Sequence, residues 1–382
     1  MVPRVAESRF LSVAGTSGLL AIGLLLPGAT AQTGAEPGGA SAAAPAAHAA
    51  PVAPLPSTSP RRPVATYSIV ARDPDTGEMG VAVQSHWFSV GPTVPWAEAG
   101  VGAVATQSFV KVSYGPDGLA AMRDGTSAPD ALAELVEADD NANVRQVAMI
   151  DSQGRVAAHT GTRCIQSAGH SVGVNFSVQA NLMQRDTVWP AMAKAFETTK
   201  GALADRMLAA LVAAEKEGGD IRGRQSAAIV IVAGTPTGNV WDDRVIDLRV
   251  EDHPDPLGEL ARLVRLQRAY KEMNAGDVSI EKNDFDEALA HYNAALELAP
   301  EVYEIAFWVG VNLAHAGRVD EALPLLAKAY QSEPRLRELI GRLPAVELLP
   351  QDDELIKTLQ FAQVEVGGGV WTSGEDRKAK KP

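Results

Sequence analysis

The chain has 382 residues, 46% of them hydrophobic and 5% aromatic, with 34 Lys plus Arg against 47 Asp plus Glu, a formal net charge of −13. The length suits two or three domains with a packed core. The acidic balance argues against nucleic acid, whose affinity rests on basic neutralisation of phosphate, and disfavours an anionic membrane surface. One cysteine excludes an intramolecular disulfide and a cysteine-built zinc site, and the composition excludes collagen-like and coiled-coil classes.

Residues 1–31 carry the pattern of a secretory signal peptide. Arg4 and Arg9 precede a mostly apolar stretch from Leu11 to Leu26, and Ala29-Thr30-Ala31 forms an A-x-A cleavage site. Ser12, Gly15, Thr16, Ser17 and Gly18 make that stretch too short and too polar for a comfortable membrane span. The expectation is an exported chain, periplasmic or secreted, with no membrane span after cleavage. Residues 32–65 are rich in Ala and Pro and have no periodic apolar face, so they read as a disordered linker.

Folded patterning begins at Thr66. Thr66–Arg72 and Gly80–Ser85 alternate as strands around a turn, and a third strand is predicted at Val101–Gln107. Helical periodicity covers Pro116–Arg123 and Ala128–Ala138. Strands at Arg145–Ile150 and Arg155–His159 flank the hairpin residues Asp151-Ser152-Gln153-Gly154. Helices are predicted at Val188–Phe196 and Leu203–Lys216, then strands at Ser226–Val232 and Asp247–Val250. Strands, two helices, strands, two helices and strands again predict a layered α+β domain over 66–258 rather than regular βαβ alternation.

From Pro256 the chain reads as helical. Gly276, Ala288, Ala295 and Pro300 recur 34 residues later as Gly310, Ala322, Ala329 and Pro334. Small residues there let antiparallel helices approach, and the proline closes each unit. The pattern resembles the tetratricopeptide repeat. Flanking helices at Leu257–Met273 and Arg335–Leu359 would complete a short solenoid over 259–361, with a plain helical bundle as the alternative. Tetratricopeptide surfaces bind peptides or partner proteins. Residues 362–382, ending in the basic run Arg377 to Lys381, read as a disordered tail.

The opening Thr66-Tyr67-Ser68-Ile69-Val70-Ala71-Arg72-Asp73 is followed by Gly80–Ser85, Trp87-Phe88 and Gly102–Gln107. Tyr114–Leu119, His159-Thr160-Gly161, Asn175–Asn181, Gly218–Ala228 and Asp252–Pro256 come after them. Together they resemble DUF1028, a bacterial family of unknown function in the N-terminal-nucleophile hydrolase superfamily. The resemblance implies a four-layer αββα sandwich, followed here by the all-α repeats, and hydrolysis of a carbon–nitrogen amide bond with Thr66 as nucleophile. At a free amino terminus the α-amine titrates at about 7.7–8.0 and can take the hydroxyl proton. An oxyanion hole then stabilises the tetrahedral state, and water releases the acid. Peptides, peptidoglycan fragments or acyl-amino acids would suit an envelope compartment as substrates.

Cleavage after Ala31 leaves 34 residues ahead of Thr66, so this mechanism needs a second cut between Ala65 and Thr66. Without it Thr66 is an ordinary strand-starting residue, and the chain is a catalytically silent binding or scaffold protein. Gln84, Ser85, Gln107 and Asn181 lie at strand ends, suited to orienting a substrate or an oxyanion or to satisfied burial. Asp220, Arg222 and Arg224 occupy a glycine-rich loop. Either arginine could fork a substrate carboxylate or hold the Thr66 amine neutral, and a structural Asp–Arg pair is the alternative.

Two further constellations compete. Gly169-His170-Ser171-Val172-Gly173 matches the G-x-S-x-G elbow of a serine esterase, with Asp220 or Asp247 and His253 following in order. Its flanks read as loop before and strand after, where the elbow needs strand and then helix. Cys164 lies between His159 and His170, either a thiolate–imidazole pair or a small buried hydrophobe. No histidine spacing suits a metal and no glycine pattern suits a nucleotide phosphate, so no cofactor is expected.

Overall fold

The alternating segments after Thr66 build two antiparallel sheets in the computed structural model, which describes residues 63, 64 and 66–363. The signal-like segment, nearly all of the Ala/Pro-rich stretch and the basic tail lie outside the described residues. The strands are β1 (Thr66–Arg72), β2 (Met79–Ser85), β3 (Pro95–Glu98), β4 (Gly102–Ser108), β5 (Arg145–Asp151), β6 (Val156–Thr160), β7 (Gly169–Gly173), β8 (Phe176–Ala180), β9 (Ser226–Val232) and β10 (Arg244–Val250). One sheet runs β10-β9-β2-β1-β8-β7 and the other β3-β4-β5-β6.

Helices cover both outer faces. α1 (Tyr114–Arg123) and α2 (Ala128–Glu137) bury Tyr114, Leu119 and Leu132 against Val104, Val147 and Met149 of the smaller sheet. α3 (Val188–Thr198) and α4 (Leu203–Lys216) bury Met192, Phe196, Met207 and Leu211 against Tyr67, Ile69 and Val178 of the larger one. Between the sheets Val70, Val81 and Val83 meet Ala103, Ala105, Ala148 and Ile150. The period-two pattern explains this division, because each strand sends alternate residues to a helix layer and to the inter-sheet layer. The domain is a four-layer αββα sandwich.

Two strands escape the sequence patterns. β3 is four residues long and opens on Pro95, which an edge strand tolerates because it need not donate at that position. β7 contains Gly169, where a Cβ would stand 2.5 Å from the Trp189 indole, so close packing under α3 excludes the side chains by which a strand is recognised.

After the short α5 (Val240–Asp243), α6 (Pro256–Glu281) runs unbroken across the predicted 258/259 boundary. The Asp255 side chain accepts from the Gly258 N–H at its start. Its first half buries Leu257, Leu260 and Val264 in the core of the larger sheet. Its second half packs on α7 (Phe285–Leu298), and α8 (Tyr303–His315) pairs with α9 (Val319–Ser332). The single helix expected over Arg335–Leu359 is instead α10 (Leu336–Ile340), a 3-10 turn at Leu343–Val346 and α11 (Asp353–Gln360). Pro344 falls within the interruption, and Glu347 adopts a φ of 62°. No helix among the described residues is long and apolar enough to cross a membrane.

Candidate functional site

Thr66 is fully buried at the first position of β1. Its register partner is Ser85 on β2, whose own partner on β9 is Ser226, so three hydroxyl residues form a row across the sheet end. Thr66 Oγ1 lies 3.2 Å from Ser85 Oγ and donates to the Val64 carbonyl at 2.7 Å. The Thr66 carbonyl accepts from the Asn181 N–H at 3.1 Å and from Gln107 Nε2 at 3.3 Å. Thr66, Ser85, Gln107 and Asn181 thus converge at one end of the sandwich.

Beneath Thr66 the inter-sheet layer turns from apolar to polar. Ser68 Oγ donates to Gln107 Oε1 at 2.7 Å, and Gln107 Nε2 donates to Gln146 Oε1 at 2.7 Å. Gln179 Nε2 reaches Ser68 Oγ at 2.6 Å, and Ser177 Oγ donates to Gln179 Oε1 at 3.1 Å. Asn181 Nδ2 donates to Gln146 Oε1 at 2.9 Å. All six side chains are fully buried. Asn181 Oδ1 is the one amide atom of these side chains without a hydrogen-bond partner among the described residues, and the bonds of the others fix the geometry. Gln107 Nε2 also contacts the Gln179 carbonyl at 3.3 Å, so its donors are committed and it positions Thr66 rather than offering a free oxyanion donor.

Ser68, Ser177, Gln146 and Gln179 were not singled out from sequence. Period two could have found three of them, since Ser68 lies two residues after Thr66, and Gln179 and Ser177 lie two and four before Asn181. Gln146 is visible only through its register pairing with Gln107.

The other predicted site residues lie outside that convergence. Gln84 pairs in register with Tyr67, which belongs to the core under α4, so Gln84 faces away from Thr66. It is fully buried, and neither amide atom has a hydrogen-bond partner among the described residues. Tyr67 Oη donates to Glu215 Oε1 at 2.5 Å on that face, where burial and then the Glu215 charge push the phenol well above its ordinary pKa. Asp220 is held by Arg222 through Nε at 3.1 Å and Nη2 at 2.8 Å. It also accepts from the His86 N–H at 3.2 Å. Arg222 Nη1 reaches the Pro63 carbonyl at 3.5 Å, which places this pair beside the chain entering Thr66. Arg224 is exposed and paired with Asp255 at 3.2 Å and Glu215 at 3.7 Å, away from Thr66.

The serine-esterase arrangement does not form. Ser171 lies inside edge strand β7, and a turn to β8 follows rather than a helix. His253 sits beside the start of β9, three intervening strands away, or about 20 Å at strand spacing. Cys164 donates to the Arg145 carbonyl at 3.3 Å, and burial pushes its thiol up against opposing help from Ser108 and the Gly161 N–H. His170 is bonded to Thr160 Oγ1 at 2.8 Å, with burial and then His159 holding its pKa down, and His159 bonds the Ala142 carbonyl at 2.8 Å. These groups line or flank an open cavity of about 560 Å³ between the β6 and β7 edges, walled by Trp189. Gln146 Nε2 reaches two of its lining residues, Thr160 Oγ1 at 2.9 Å and the Gly169 carbonyl at 3.2 Å. Among the described residues no cluster of three or more His, Cys, Asp or Glu could hold a metal.

A four-layer sandwich with a buried threonine opening its first strand, joined to paired antiparallel helices, defines a two-part protein of α+β and repeat architecture. The family of unknown function DUF1028 matches residues 66–260, and a tetratricopeptide repeat matches residues 273–335. The chain belongs to the DUF1028 family. It is 30% identical to protein SPO2555 of that family from Silicibacter pomeroyi, a crystal structure, over 53% of this chain and 88% of that one, with a TM-score of 0.47. Similarity to Anbu (ancestral beta-subunit) from Yersinia bercovieri is 13% identity over 57% and 97% of the two chains, with a TM-score of 0.28. No curated protein matches.

Proposed function

We propose that this protein is an exported N-terminal-nucleophile hydrolase of carbon–nitrogen amide bonds, formed when the chain is cut before Thr66, with repeats that dock a protein partner. The observation that carries the reading is the place of Thr66. It combines the first position of the first strand, complete burial, a hydroxyl beside Ser85 and a carbonyl clamped by Gln107 and Asn181. In the uncut chain the Thr66 nitrogen is an amide and cannot act as a base. Cutting releases an α-amine that takes the Oγ1 proton. Oγ1 then bonds the substrate carbonyl carbon, the C–N bond breaks with that proton passing to the leaving amine, and water hydrolyses the ester to regenerate Thr66. Ser85 is the nearest hydroxyl to Oγ1 and is suited to relaying that proton.

The test is the amino terminus of the mature protein, by intact mass and end-group sequencing after expression with export intact. The expected chain begins at Thr66 and hydrolyses amides. Thr66→Ser should retain part of the rate, and Thr66→Ala should lose at least about a hundredfold, the scale of a nucleophile's contribution. A stable mature chain that still carries residues ahead of Thr66 would leave a silent binding protein as the better description.

A further inference from the structure

The two described residues ahead of Thr66 do not trail away from the site. Val64 forms an antiparallel bridge with Ser108 at the end of β4, its N–H donating to the Ser108 carbonyl at 2.7 Å and its carbonyl accepting the Ser108 N–H at 3.0 Å. Thus β1 belongs to one sheet, while the residue two before it pairs with the other. Val64 is completely buried in the inter-sheet core that holds Val83, Val90 and Val110. Ser108 presents these backbone groups from a left-handed conformation with φ of 70°, an unfavourable state for serine that the surrounding structure must hold. The Pro63 carbonyl lies toward Arg222.

We infer that this slot is the binding groove for the acyl side of a peptide substrate, which would run extended along Ser108 and set a small apolar side chain, two residues before the scissile bond's amine, where Val64 sits. The inference rests on the hydrolase reading and adds the substrate class. In the uncut chain the acyl side of the peptide bond to Thr66 contains Val64, so the intact protein displays where the residue two before the nucleophile lies. Once that segment leaves, the Ser108 N–H and C=O lose their partners and an apolar recess stands open. An incoming extended peptide satisfies both groups, as strand addition does elsewhere. Val64 belongs to a wholly hydrophobic core cluster, so a charged side chain entering its place would be desolvated.

The experiment uses the chain beginning at Thr66 and three coumarin amides: acetyl-Pro-Val-Ala, acetyl-Pro-Asp-Ala, and acetyl-Pro-Val-Ala methylated on the valine nitrogen. The valine peptide should be cleaved with kcat/KM at least about tenfold above the aspartate peptide. N-methylation, which removes the donor to the Ser108 carbonyl, should cost about two- to tenfold. Equal rates for all three would overturn the groove and leave the hydrolase standing. Failure to cleave any of the three peptides would count against a peptide substrate, and a mature chain that still carries residues ahead of Thr66 would overturn the hydrolase. Calorimetric titration of acetyl-Pro-Val-Ala against acetyl-Pro-Asp-Ala then decides the groove by itself, with selective binding of the valine peptide upholding it and no selectivity overturning it.

Discussion

At the residue scale, a side chain's role here follows from which face of a strand carries it. Gln84 and Ser85 are neighbours, yet only Ser85 joins Thr66, because successive residues point to opposite faces. Asp139 shows the same dependence on placement. It is almost fully buried and accepts from Arg145 Nε at 3.0 Å, Tyr114 Oη at 3.2 Å and the Asn141 N–H at 3.1 Å, pinning the helix layer to the start of β5. Burial alone would raise its carboxyl, but the Arg145 bond, the Asn141 N–H and Lys111 outweigh it and hold the group below its usual value. A carboxyl lowered by folding contributes stability above its unfolded pKa of about 3.9 and loses it as pH falls through the folded value. Asp139→Asn should therefore be less stable than the natural protein in urea at pH 7, and the difference should narrow as pH is taken to 2. A constant difference would assign the effect to packing instead of charge.

At the scale of elements, the repeats reward the period read from sequence. Gly276 on α6 meets the face of Tyr292 on α7, where a Cβ would lie 2.4 Å from the ring. The ring cannot yield easily, since Tyr292 Oη donates to Asp277 Oδ1 at 2.8 Å and accepts from Asn312 Nδ2 at 2.7 Å. At the equivalent Gly310 the nearest atom is 2.9 Å away and belongs to the buried Leu326 side chain, which is aliphatic and not held by hydrogen bonds. Gly276→Ala should therefore destabilise the repeats by about 1–3 kcal/mol. Gly310→Ala should cost less, because relief of strain there is offset by alanine's better helix propensity. Thermal unfolding of the two variants checks the order.

At the scale of the molecule, α6 belongs to both parts. Its first half completes the larger sheet's core, and Arg268 Nη1 bonds Asp205 on α4 at 2.9 Å while Gln267 Nε2 donates to the Val245 carbonyl at 2.8 Å. A chain ended at residue 258 would lose the buried Leu260 and Val264, about 1.5–3 kcal/mol each. Against a typical total of about 5–15 kcal/mol, that loss is large. The chain ending at residue 258 should have a urea midpoint well below one ending at residue 282, and equal midpoints would show that the sandwich needs nothing from α6.

Local periodicity set most of the elements without help. Thr66–Arg72, Leu203–Lys216 and Ser226–Val232 have the predicted bounds, because alternation and helical spacing are properties of a few consecutive residues. The recurrence of Gly276 at Gly310 likewise fixed the helix pairing of the repeats. Tertiary structure alone decided what those elements bring together. The polar layer under Thr66 joins Ser68, Gln107, Gln146 and Gln179 from four strands in two sheets, and no short window of sequence contains that register. It also decided that Val64, in a stretch that reads as linker, is buried against Ser108, and that one helix unites the two parts. Strand pairing and burial are contacts between residues distant in the chain, so their energies are absent from any local pattern.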